Sequence, residues 1–134
     1  MNAAQASIYQ KLEDLLDWVG PVIDRLPKTP TLQELGKKAV QDILNSMDLF
    51  TFAFKTQRGQ ERLPYIDALI VHMTDLKTII RYIRRLSKRK EPRVITEQQF
   101  AMFINLMNPI SAEVGRWRAS NAGDCPPGSS DRRK

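Results

Sequence analysis

The sequence predicts an all-α fold, an up-down-up-down four-helix bundle with a disordered C-terminal tail. Three observations lead there. Apolar residues recur at three-and-four spacing in four separate stretches. Proline or polar clusters around 27–30, 55–64 and 87–93 divide those stretches. Only Phe50, Phe52 and Phe54 alternate as strand residues would, and they close several turns of helical spacing. Four amphipathic helices with short links pack as antiparallel neighbours. The bundle is expected over 1–119 and the tail over 120–134.

The first helix carries Ile8, Leu12, Leu15, Leu16, Val19, Val22, Ile23 and Leu26 on one face, with Ser7 as a candidate N-cap. Pro21 falls inside this pattern and predicts a kink, because it has no N–H for the Asp17 carbonyl. Thr31-Leu32-Gln33-Glu34 has the form of a capping box opening the second helix. Its inner face is Leu32, Leu35, Ala39, Ile43, Met47, Phe50 and Phe54. The polar stretch 55–64, KTQRGQERLP, predicts the central loop, and Pro64 suits a first helical turn. The third helix then buries Ile66, Leu69, Ile70, Met73, Leu76, Ile80 and Ile83, and Pro92 stops the chain beyond it. Thr96-Glu97-Gln98-Gln99 is a second capping box, and Phe100, Phe103, Met107, Ile110, Val114 and Trp117 form the inner face after it. Pro109 predicts a bend. The last stretch, SNAGDCPPGSSDRRK, has the composition of a disordered tail.

Composition narrows the function. A chain of 134 residues with 42% hydrophobic and 27% charged side chains is long enough for a core without staples. One Cys and one His leave no internal disulfide, no thiolate zinc site and little vocabulary for catalysis. His72 lies among apolar residues, and Leu69 stands where a di-iron bundle would need Glu, so His72 reads as structural. Cys125 neighbours Asp124 in a Pro-Gly-Ser setting unsuited to an activated thiolate. The glutamates show no paired spacing for acid–base work, and no glycine-rich phosphate loop is present. The expectation is a non-enzymatic protein with no cofactor and no metal. No apolar run reaches the roughly 20 residues of a membrane span, and the first residues read as amphipathic helix rather than secretory signal. The expected location is cytoplasmic, away from the membrane.

Charge supplies the positive clue. Net charge is +6, with 21 Lys and Arg against 15 Asp and Glu. Residues 1–64 are balanced, so the whole excess lies in 65–134. Lys77, Arg81, Arg84, Arg85, Lys88, Arg89, Lys90 and Arg93 crowd one segment whose only acid is Glu91. At helical spacing Lys77, Arg81, Arg84 and Lys88 share a narrow arc, with Arg85 beside it. A solvated face would interleave acids at i, i+4, as the first helix does. An unmixed face suits a polyanion, RNA and/or DNA first. Arg116 and Arg118 are expected to extend the same field. Only Tyr82 offers an aromatic nearby, so phosphate contact is better supported here than base stacking. Surplus apolar residues on three helices, Phe52, then Ile79, Tyr82 and Leu86, then Met102 and Leu106, predict an oligomer interface.

Several residues in order carry a family likeness. Leu76 and Arg81 precede Ile95-Thr96-Glu97-Gln98-Gln99-Phe100, which precede Glu113-Val114-Gly115-Arg116 and a Trp. Earlier, Leu26-Pro27-Lys28 is followed by Leu35-Gly36. Over about residues 8–119 the chain resembles the four-helix-bundle accessory variability determinant (Avd) proteins of diversity-generating retroelements. A wider family of four-helix-bundle proteins encoded within ribosomal RNA intervening sequences shares the earlier residues. Phe50-Thr51-Phe52-Ala53-Phe54-Lys55 departs from the Asn-x-Ala-Glu-Gly-like run of that wider family and favours the retroelement branch. Trp117 follows Arg116 directly, where the retroelement proteins place a few residues between them.

The resemblance implies a homopentamer with a basic surface that binds a reverse transcriptase and its template RNA. It also implies a need for that protein in the error-prone complementary DNA synthesis that diversifies a target gene. Of the basic residues, Arg81 and Arg116 match its pattern. The leading expectation is thus a nucleic-acid-binding accessory subunit. Its alternatives are a helical adaptor for an acidic protein, a ribosomal-RNA-associated bundle protein and, third, a membrane-surface protein.

Overall fold

Four helices follow one another in the computed structural model, which describes residues 3–89 and 93–123. Helix α1 spans Ala3–Asp24, α2 Pro30–Lys55, α3 Gly59–Leu86 and α4 Glu97–Ala122. No strand occurs among the described residues. Each helix packs on the next, and α1 also packs on α4, which closes the bundle. Facing pairs run in opposite chain order. Asp42 meets His72 while Lys38 meets Asp75 across α2 and α3. Asp67 meets Arg118 while Arg84 meets Phe100 across α3 and α4. Neighbours are therefore antiparallel, as an up-down-up-down bundle requires.

Periodicity and burial agree closely. Ile8, Leu12, Leu15, Val19, Val22 and Leu26 are buried in α1 and the turn after it. Ile43 and Phe50 in α2, Ile66, Leu69, Leu76, Ile80 and Ile83 in α3, and Phe103, Met107, Ile110 and Val114 in α4 join them. Burial of each such side chain stabilises by about 1.5–3 kcal/mol before ordering is counted. Leu16, Ile23, Leu35, Met47, Phe54, Ile70, Phe100 and Trp117 pack at the edge of this core. Gly36 is placed where α2 approaches the end of α1. A Cβ there would lie 2.7 Å from Leu26 Cδ1 and 3.1 Å from Ile23 Cδ1.

Helix boundaries differ from the expectation wherever tertiary contacts outweigh local signals. Helix α3 begins at Gly59, with Pro64 inside it, so the central loop shrinks to 56–58. Contacts secure this polar first turn: Arg62 donates to the Thr56 carbonyl and to Asn121 Oδ1, and Tyr65 packs on Phe52. Helix α2 is capped by Thr29 without a side-chain bond. Pro30 needs no hydrogen-bond partner at the first position and sets the start ahead of Thr31. Glu34 instead pairs with Lys37 at the surface. Ser7 lies within α1 and donates to Glu113 on α4, so it joins two helices rather than capping one.

Helix α1 runs through Pro21, and α4 runs through Pro109 to Ala122, three residues past the expected domain edge. Asn121 accounts for that extension. It is buried, and its Nδ2 donates to the Trp117 carbonyl at 2.8 Å. The rest of the expected tail, 124–134 with Cys125, lies outside the described residues.

The six residues expected to form an oligomer interface do not share one face. Ile79 is only 5% exposed and belongs to the core, because the long α2–α3 seam takes both Ile79 and Ile80. Leu106 packs against the core. Phe52, Tyr82, Leu86 and Met102 are exposed. Phe52 pairs with Tyr65 near the start of α3, about 25 Å along the helix from Tyr82 at 1.5 Å per residue.

Candidate nucleic-acid interface

The last two turns of α3 build the site. Arg81, Arg84 and Arg85 recur there on one side of the helix end, and Lys88 follows in the turn just past Leu86. The described residues at both ends of the α3–α4 link are anchored. Ser87 is buried and its Oγ donates to the Ile83 carbonyl at 2.6 Å. Val94 and Ile95 plug the core, and Arg25 Nη2 donates to the Val94 carbonyl at 2.9 Å. Thr96 and Gln99 complete the capping box: the Gln99 N–H donates to Thr96 Oγ1 at 3.0 Å, and the Thr96 N–H to Gln99 Oε1 at 2.8 Å. This anchoring brings Arg93 from the link and Phe100 from α4 to the α3 cations.

The outcome is a concave basic bowl. Arg81, Arg84, Arg85, Lys88, Arg93 and Phe100 line a depression of about 450 Å³. The Arg84 guanidinium lies over the Phe100 ring, 4.5 Å from its centroid. Phe100 rests on Phe103 at 6.1 Å, and Phe103 on Trp18 at 4.9 Å. The planar cation thus caps a column of aromatic rings rooted in the core. Among the described residues, none of the five bowl cations makes an ion pair. Their mutual repulsion is offset in part by the negative end of the α3 dipole, and an incoming anion offsets the rest.

The structure divides the expected basic set. Five of its members line the bowl. Arg89 is exposed beyond it, and Lys77 lies earlier on α3 beside a narrow crevice with Met73, Thr74 and Met107. Lys90 lies outside the described residues. Arg116 and Arg118 do not extend the field. They lie about 25 Å or more along α4 from Phe100, and Arg118 is bonded to Asp67. The aromatic expectation is also corrected: Phe100, assigned to the core from its periodicity, supplies the ring that the basic stripe lacks. The signal was the adjacency of Phe100 to a capping box, but its facing the stripe depends on how α3 and α4 rotate against each other.

A second polar cluster lies within the α2–α3 seam, and the sequence placed only one member of it. His72 Nδ1 meets buried Asp42 Oδ1 at 2.9 Å, as expected of a structural histidine. Burial, with the neighbouring Asp75 carboxyl, pushes Asp42 up to about 6, against the lowering effect of His72. The bond with Asp42 and the ion pair with Lys38 hold Asp75 below the usual carboxylate range. Asp42 Oδ2 is buried and accepts no hydrogen bond; a proton on Asp42 lets it donate to Asp75 instead. Because Asp42 is raised in the folded state, its contribution is full below about pH 4 and lost as pH rises through 6.

That loss is at most about 3 kcal/mol at 1.36 kcal/mol per unit, and the lowered Asp75 carboxyl works in the opposite direction. Asp42→Asn is expected to flatten the fall in stability between about pH 4 and 6.5, read by thermal melts across that range. An undiminished fall in the variant contradicts the assignment. Among the described residues, no group of His, Cys, Asp and Glu is arranged to hold a metal ion. No described helix is long and apolar enough to cross a membrane.

No family model, curated protein or solved structure matches the chain. The functional reading therefore rests on the chemistry of the bowl and on the likeness of the residues themselves.

Proposed function

We propose that this protein is a non-catalytic nucleic-acid-binding subunit. It serves as an accessory to a reverse transcriptase and its template RNA in retroelement-driven sequence diversification. The observation that carries the binding step is the bowl, five cations without ion-pair partners among the described residues, converging from α3 and the link. Arginine suits this task because its planar fork matches two phosphate oxygens at once. Phosphate contacts of this kind supply affinity and orientation without reading sequence.

The polymerase partner, the template RNA and a homopentameric ring rest on the resemblance of residues 8–119. In a ring, one modest bowl per subunit gains avidity along a single strand without any new contact. Exposed Tyr82, Leu86 and Met102 lie at the bowl end of α3 and α4 and offer apolar area for such an assembly.

A mobility-shift assay at low salt tests the reading. The purified protein is expected to shift RNA, and an acidic protein at equal concentration is expected to leave the complex intact. Failure to shift RNA, with capture of the acidic protein, would instead make the chain a helical adaptor.

A further inference from the structure

We propose that the bowl accepts one nucleotide of a single strand, its base stacked on the Arg84 guanidinium and its flanking phosphates held by Arg81, Arg85, Lys88 and Arg93. This rests on the reading of the bowl as the nucleic-acid site and specifies the form of nucleic acid that enters it.

Shape is the first reason. A flat basic helix can follow the phosphates of a duplex, whereas a depression of about 450 Å³ is of the size that encloses small ligands. Bases stacked inside a duplex cannot enter it, but an unpaired base with its sugar can. The second reason is the Arg84–Phe100 stack. Phe100 covers one face of the guanidinium, and half-exposed Arg84 can present the other face to a base. Phe100, Phe103 and Trp18 support the stack from below, so little side-chain freedom remains to be lost on binding. Arginine planes and aromatic faces both accept bases irrespective of sequence. Arrangement of charge is the third reason. The remaining four cations surround this platform without carboxylate partners among the described residues. They can meet the phosphates on either side of a stacked base.

Fluorescence anisotropy on the full chain separates stacking from charge. The probes are an oligothymidylate of about eight nucleotides, an abasic strand of the same length, and a duplex. The protein is expected to bind the base-bearing strand about tenfold more tightly than the abasic strand, the size of one stacked base, and more tightly than the duplex. Arg84→Lys keeps the charge and removes the plane. It is expected to abolish most of that preference while changing abasic-strand affinity by no more than about twofold. Phe100→Leu keeps apolar packing on Phe103 and is expected to act in the same direction, with circular dichroism confirming the fold. Equal affinity for base-bearing and abasic strands overturns the stacking proposal and leaves the nucleic-acid reading standing. So does a preference that survives Arg84→Lys. Loss of binding to all three probes overturns the nucleic-acid reading itself.

Discussion

Replacing Arg81, Arg84, Arg85 and Lys88 together by Glu is expected to abolish nucleic-acid binding and to leave helical content unchanged. These four line the bowl from the end of α3 and the turn that follows it. All but Arg84 are exposed, and none makes an ion pair among the described residues. Their reversal therefore breaks no described ion pair of the fold. The Arg84–Phe100 stack is lost, and a half-buried pair of that kind is worth about 0.5–2 kcal/mol. For a strand, the same change turns attraction into repulsion at four of the five bowl cations, which outweighs the remaining Arg93 and removes the electrostatic gain in affinity. Filter binding reads the effect, and far-UV circular dichroism reads the control. Retained binding with an intact fold removes the bowl as the site.

Phe103→Ala is expected to cost about 3–5 kcal/mol of stability, the range for truncating a buried aromatic side chain. Phe103 is fully buried and packs between Trp18 of α1 and Phe100 of α4. Truncation empties a volume that two rigid rings cannot refill. For a domain of this size the melting temperature should fall by roughly 10–20 °C. The same change removes the floor beneath Phe100, so nucleic-acid affinity should weaken even where the variant remains folded. A melting temperature within a few degrees of the parent would contradict the central role given to the Trp18–Phe103–Phe100 column.

How much of this was legible follows from which forces act locally. Helical periodicity marked nearly every buried position, from Ile8 to Val114, because an amphipathic helix displays its core face in its own spacing. Thr96 and Gln99 were readable for the same reason: a capping box is complete within four residues. Thr31 and Glu34 have the same pattern, yet Pro30 shifts the helix start and the box does not form. Gly59 signalled a loop and Pro64 a helix start, while the contacts of Arg62 with Thr56 and Asn121 extend α3 back to Gly59. Ile79 looked surplus until the width of the α2–α3 seam was known.

The charge concentration was fully visible in the sequence, but its membership was not. Arg93 and Phe100 join the bowl only because α4 packs antiparallel to α3. Arg116 and Arg118, grouped with them by sign, belong to the far end of the same helix. Asp42 and Asp75 form a cluster with His72 and Lys38 only once α2 and α3 are antiparallel.

The most direct test of the central claim is the salt dependence of binding to a labelled single strand. If the four bowl cations around Arg84 each neutralise one phosphate, a plot of log affinity against log salt concentration should be linear with a slope of about −2.8, from roughly 0.7 per contact. A slope near zero, or no binding at the lowest salt, would contradict the assignment of the bowl as a polyanion site.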